Sequence, residues 1–178
     1  MKRLSWILSL LIIVVTAISI YNNRERDDAF LVEPLQQVEA YFSKRSVKNP
    51  KISKADVAWH LNHILKTVNK ISESLLHSNP ENFNPKFNVK RLWVHTTGRL
   101  PKGGQSPRSV NPSGTVLLDS LRIQLALAKK NMERISTLDE DAFFNHPVFD
   151  HLDRDQTRRF LAVHTRHHLR IIKAIVEE

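Results

Sequence analysis

Apolar residues recur at helical spacing in four segments, and this pattern constrains the fold more than any other feature. The strongest stripe runs from Val57 to Leu75 and is followed by Asn79-Pro80. Three weaker stripes predict helices from about Glu33 to Arg45, from about Ser113 to Ser136, and from Asp153 to about Val176. We find no segment with the alternation of a strand. The sequence therefore predicts an all-α, antiparallel four-helix bundle.

The connection between the second and third helices is long. Residues 80–114 contain most of the prolines and all four glycines, which favour turns, with one short helix expected around Val89 to His95. A bundle with one long crossover can hold a metal ion between facing helices. Ser53 is expected to cap the second helix, and the aromatic stretch from Phe143 to Phe149 is expected to link the last two helices without strands.

The N-terminal segment is apolar enough to enter a membrane. Leu4 to Tyr21 carries no charge, and a helix of about 18 residues crosses roughly 27 Å of hydrocarbon. Residues 4–21 are therefore expected to contact the membrane as a transmembrane helix. This gives two regions, an anchor with a polar tether over residues 1–29 and a folded domain over residues 30–178.

The charges beside the apolar segment set the expected orientation. Lys2 and Arg3 precede it, and this bias favours a cytoplasmic N-terminus with the domain on the extracytoplasmic side. Small residues at Ala17 and Ser19 resemble a signal-peptidase site, but apolar residues continue beyond them. We expect an uncleaved signal anchor, and cleavage stays as the alternative.

Composition narrows the classes of function. The chain has no cysteine, which excludes thiolate nucleophiles, thiolate metal ligands and disulfides. Its net charge is +9, but the basic residues are spread along the chain without a nucleic-acid motif. We expect no nucleic-acid partner, whereas a small-molecule substrate and a homodimer are both compatible with the sequence.

Two histidines in the last helix suggest a metal site. His164 and His168 are one helical turn apart, within an arc of about 100° that also carries the apolar residues of that helix. His167 lies at the edge of the arc, where it would support the site or meet solvent. Neutral imidazoles suit zinc, nickel, copper or ferrous iron, so the spacing predicts a divalent metal ion without choosing among these metals.

A third ligand is expected from the second helix, where His60 and His63 both lie. His60 is about 60° from the middle of the apolar stripe and His63 about 120° from it. Periodicity favours His60, although an open site could admit His63. Asp56, one turn before His60, could orient that ring or could cap the helix.

Short motifs in a fixed order resemble the DinB-like superfamily. They are Ala58 to Leu65, the proline-containing segment from Pro101 to Pro112, His146-Pro147-Val148-Phe149, and His164 to Leu169. The resemblance covers about residues 30–178, and Asp150 departs from it where that branch usually has glycine.

The resemblance implies a four-helix bundle with a divalent metal. We expect zinc foremost, with nickel or iron as alternatives. In that pattern the second histidine of the His-x-x-His pair is the ligand, which carries over to His63, beside His164 and His168. His60 then supports the site without binding the metal. If periodicity is right, His60 is the ligand instead.

Two functions follow from this reading. Three histidines leave a coordination position open for water or a thiol, as in a metal-dependent transferase or hydrolase of unknown substrate. Some relatives resemble transferases that activate low-molecular-weight thiols, but those substrates are cytosolic, which conflicts with an extracytoplasmic domain. The alternative is a non-catalytic interaction bundle with a structural metal or none. An enzyme needs an open cleft at the metal, whereas a structural site is closed.

Overall fold

The structure, a computed structural model, describes residues 2–101, 110–112 and 114–177. This part of the chain is mainly helical, with six α-helices and one two-stranded sheet. In chain order these are α1 (Lys2–Asn22), α2 (Val32–Ala40), α3 (Val57–Leu76), α4 (Val89–Thr97), α5 (Leu118–Ser136), β1 (Phe143–His146), β2 (Asp150–Asp153) and α6 (Arg154–Glu177). Short 3-10 helices cover Tyr41–Lys44 and Pro80–Asn82.

Helix α3 is the centre of the core. It packs against α5 and α6, and α2 packs against the same two helices. The predicted stripe on α3 is buried, and its members are Val57, Leu61, Ile64, Val68, Ile71 and Leu75. Full burial of one such side chain contributes about 1.5–3 kcal/mol, so this stripe explains why α3 forms and where it lies.

The helix ends show which capping predictions were right. Asp153 accepts a 2.7 Å hydrogen bond from the backbone N–H of Gln156 and caps α6 as predicted. Helix α3 begins later than expected, because Asp56 rather than Ser53 is its N-cap and accepts from the Trp59 N–H at 2.8 Å. Helix α5 begins at Leu118, and the predicted start at Ser113 lies outside the described residues. The short helix predicted near Val89 is α4.

The prediction of a domain without strands was wrong. β1 and β2 pair antiparallel within the stretch that we expected to be an aromatic linker. Asp150 begins β2 with φ +60°, in the left-handed region that glycine adopts most easily. Its carboxylate accepts a 2.9 Å hydrogen bond from the Asn88 side chain, and this contact holds the turn. Strands of four residues are too short for their alternation to show in the sequence.

Helix α1 differs from the other helices in being exposed. Ser5–Asn22 is long and apolar enough to cross a membrane, and none of it is buried, although a signal sequence would satisfy the same test. Helix α1 packs against α4. The segment predicted to be a polar tether is bound to the start of α6, through Arg24 to Asp153 at 2.6 Å, the Glu25 N–H to the Asp155 carbonyl at 3.0 Å, and an ion pair of Asp28 with Arg158.

Candidate metal centre

Helices α3 and α6 bring three buried histidines together. One nitrogen from each of His63, His164 and His168 lies within 4.8 Å of the others. The Nε2 atoms of His63 and His164 are 3.1 Å apart. These three side chains are therefore close enough to bind one metal ion.

The local sequence explains how each ring reaches this point. His164 and His168 share one face of α6 because they are four residues apart. On α3, His60 is 4% exposed and His63 is 2% exposed. His63 is more buried than its angle from the apolar stripe predicts, because neighbouring elements cover more of α3 than the face that carries the stripe.

A backbone carbonyl orients His63. Its Nδ1–H donates to the carbonyl oxygen of Val110 at 3.0 Å, so in the neutral ring the Nε2 lone pair is the free one, and Nε2 is the atom that faces His164. Trp59 stacks on the same ring, with centroids 4.9 Å apart and planes at 16°. Such contacts typically fix the tautomer and orientation of a metal-binding histidine.

A short chain of hydrogen bonds orients His168. Its Nδ1 is 3.0 Å from Nδ1 of His60, and Nε2 of His60 is 3.0 Å from the Ser53 hydroxyl. If His60 donates to Ser53, then Nδ1–H of His168 donates to His60, and Nε2 of His168 keeps its lone pair. This assignment leaves Nε2 of His168 free to bind a metal ion, with His60 and Ser53 behind the ring.

The remaining predicted residues of the site are His164, His167 and Asp56. Nδ1 of His164 is buried and has no hydrogen-bond partner in the described part of the chain. His167 is half-buried, with its ring 5.1 Å from that of His168. Asp56 caps α3, while both ring nitrogens of His60 contact other side chains.

Burial keeps the clustered imidazoles neutral. Loss of water lowers the pKa of His60 to about 4, with a smaller contribution from the nearby His63. The same desolvation lowers the pKa values of His63, His164 and His168, and the neighbouring histidines lower the last two further. Neutral imidazole is the form that binds metal ions, so the donor set fits a divalent metal such as zinc.

Within the described residues, the histidines line an open cleft of about 940 Å³. Its walls are largely aromatic and apolar, and include Trp59, Trp93, Phe144, Phe149, Phe160 and Ile171. This cleft could not be predicted from sequence patterns, because its walls come from α3, α4, α6 and the β-hairpin. The roles of Ser53 and of the Val110 carbonyl were also missed, since neither has a regular spacing to the histidines.

The histidines outside the cluster bond to the backbone. His95 donates from Nδ1 to the carbonyl of Asn23 at 3.0 Å, and His77 donates to the carbonyl of Glu73 at 2.8 Å. His146 accepts from two N–H groups of the hairpin turn, and its ring also lines the cleft. His151 accepts from the Asn84 N–H at 3.1 Å.

The chain matches no family model, no curated protein and no solved structure. The candidate metal centre therefore rests on the positions of its own residues.

Proposed function

We propose that this protein is a membrane-anchored, DinB-like metal protein in which His63, His164 and His168 hold one divalent ion. The observation that supports it most is the convergence of three buried imidazole nitrogens within 4.8 Å. In this proposal α2, α3, α5 and α6 are the four helices of the bundle, and His60 supports the site without binding the ion.

Zinc is the metal that we expect, with nickel or iron as alternatives, because three neutral imidazoles form a common zinc donor set. When bound, such an ion supplies Lewis-acid polarisation of an oxygen or sulfur group. The protein contributes the rest. The Val110 carbonyl holds His63, the His60–Ser53 pair holds His168, and Trp59 covers one face of His63.

The open cleft supports a catalytic role over a purely structural one. Catalytic metal sites keep a position that a substrate can reach, whereas structural sites are closed. Six histidines and no carboxylate are among the described residues that line the cleft. His167 is half-buried beside His168 and is the best placed of them to exchange protons with solvent. We propose metal-dependent transfer or hydrolysis as the reaction class.

Metal content tests this function directly. The full-length protein, stripped with a chelator and reloaded in separate samples with zinc, nickel or ferrous iron, should retain one ion per chain of its preferred metal by elemental analysis. The loaded protein should then be screened against thiol acceptors and activated esters. A chain that retains no metal would contradict the proposal and favour the non-catalytic bundle.

The proposed location has its own test. Alkaline phosphatase fused after Glu178 should be active, whereas a reporter that works only in the cytoplasm should be inactive at the same position. The opposite pattern would place the domain on the cytoplasmic side. Detection of residues 1–22 in the mature protein would separate an anchor from a cleaved signal.

A further inference from the structure

The charges around the cleft have one sign. Apart from the histidines, each acidic or basic side chain among its described lining residues is a lysine, and the three are Lys54, Lys70 and Lys90. They come from three places, the segment before α3, α3 itself and α4, and all are exposed. The chain carries 18 acidic residues, yet none is among those lining residues. A cleft with cations and no carboxylates attracts an anion.

The walls between these lysines and the histidines are apolar. Trp59 and Phe160 lie beside the histidine rings, and Trp93 and Phe144 continue the wall from α4 and β1. A wall of this kind stabilises a ligand by removing its apolar surface from water. The cleft thus combines a surface for an apolar chain with positive charge for a head group.

Helix α4 joins the cleft to the apolar N-terminal helix. Val89, Lys90, Trp93 and Val94 of α4 line the cleft, and α1 packs against α4. If α1 lies in a bilayer, the bilayer is therefore next to α4, which forms one wall of the cleft. Bilayers are the main source of molecules with an apolar chain and an anionic head.

We propose that the cleft binds an anionic amphiphile, a molecule with an apolar chain and a carboxylate or phosphate head, and that Lys54, Lys70 and Lys90 select the anionic head. This names the substrate class of the site described above and so rests on the proposed function. The apolar chain lies along Trp59 and Trp93.

Quenching of tryptophan fluorescence tests this proposal, with the full chain in nanodiscs of neutral phosphatidylcholine. A Trp6→Phe background leaves Trp59 and Trp93, which both line the cleft, as the only tryptophans. The probe is a dodecanoate with a terminal bromine, which quenches tryptophans that it touches. The matched alcohol has the same chain and a neutral head. The carboxylate should quench at a concentration roughly tenfold lower than the alcohol, as expected if each exposed lysine contributes a few tenths of a kcal/mol.

Two triple variants test the lysines. Lys54→Gln/Lys70→Gln/Lys90→Gln should lose the preference for the carboxylate, whereas Lys44→Gln/Lys51→Gln/Lys130→Gln, which changes three exposed lysines outside the lining of the cleft, should keep it. Equal quenching by the two heads in the parent protein, or a preference that survives the first triple variant, would overturn the proposal.

A second probe identifies the source of the amphiphile. Phosphatidic acid with a brominated acyl chain, built into the nanodisc, should quench if the ligand is taken from the bilayer, and quenching by dodecanoate alone would assign it to solution. Absence of quenching by both probes overturns the proposal. Zinc content is measured on the same samples. Zinc binding without quenching overturns only this inference, and quenching without zinc binding overturns only the proposed function.

Discussion

Histidines that are fully or partly buried occur in two settings in this protein, and the contrast shows what distinguishes a candidate metal site from a packed core. The buried His95 and the half-buried His146 each bond to the backbone through Nδ1, although Nε2 of His95 is buried without a hydrogen-bond partner in the described part of the chain. His63 also bonds to the backbone through Nδ1, but its Nε2 is directed at His164, and Nδ1 of His168 is directed at His60. Backbone contacts do not account for this convergence, and a cation between the rings could bind one nitrogen from each of the three histidines.

Removing two of the converging rings should have the largest effect. His164→Ala/His168→Ala should lose stoichiometric zinc binding, because only one histidine of the proposed three then remains. His77→Ala/His151→Ala removes two backbone-bonded histidines as a control and should still bind one zinc ion per chain. Elemental analysis after dialysis measures the zinc content. Full zinc occupancy in His164→Ala/His168→Ala would contradict the distinction between the two settings.

The next prediction separates a ligand from its support. A metal that binds only the folded protein at a hundredfold excess over its dissociation constant adds about 2.7 kcal/mol to the free energy of unfolding. His63→Ala should lose most of this gain in thermal melts with and without zinc. His60→Ala should keep a reduced gain, since loss of a supporting partner typically weakens metal affinity about 10 to 100-fold.

If His60→Ala loses the zinc-dependent shift while His63→Ala keeps it, the ligand is the residue that periodicity favours. The assignment of His63 by resemblance would then be wrong.

The backbone-bonded setting predicts a pH dependence of its own. Burial lowers the pKa of His95 from 6.5 to about 4, so the folded protein resists the proton that the unfolded chain accepts. The free energy of unfolding is therefore highest above pH 6.5, and it decreases as the pH falls towards 4 because the unfolded chain takes up the proton. Between pH 7 and pH 5 this one group should cost about 2 kcal/mol of unfolding free energy.

Denaturant titrations in the presence of a chelator measure this loss without a contribution from bound metal. His95→Gln keeps an amide that can donate to the Asn23 carbonyl but does not titrate. Between pH 7 and pH 5 this variant should therefore lose about 2 kcal/mol less unfolding free energy than the parent protein. His77→Gln is the matched control and should follow the parent protein. Parallel curves for His95→Gln and the parent would contradict the prediction.

The smallest effect is expected at His167, which belongs to neither setting because it is half-buried and beside a candidate ligand. His167→Ala should reduce zinc affinity by less than about tenfold, below the range for a residue that supports a ligand directly. A competition titration with a zinc chelator would measure this, and a loss as large as that of His63→Ala would make His167 a ligand.

Helical periodicity was enough to predict the main α-helices of the domain and the face of α6 that carries His164 and His168. The stripes on α3 and α6 are long, so their buried faces could be read from spacing, and His164 and His168 followed from one such face. The β-hairpin could not be predicted, because its strands are four residues long and its turn depends on an Asp150 conformation that most residues avoid.

The α3 half of the site shows the limit of the same reasoning. Periodicity describes one apolar face, but His60 and His63 are both buried because α3 is enclosed on several sides. The choice between them depends on contacts made at long range, the Val110 carbonyl for His63 and the Ser53 hydroxyl and His168 for His60. No spacing in the sequence encodes those contacts.

The contacts that hold residues 23–28 against α4 and the start of α6 affect how the domain could meet other molecules. A flexible linker would let an anchored domain explore a volume set by linker length, and its effective concentration at a neighbouring site would fall as that length increased. Here the chain leaves α1 already bound to the domain. With α1 in a bilayer, the cleft would keep one height and one direction relative to the membrane plane, and its encounter rate with membrane-borne molecules would depend on two-dimensional diffusion and rotation about α1.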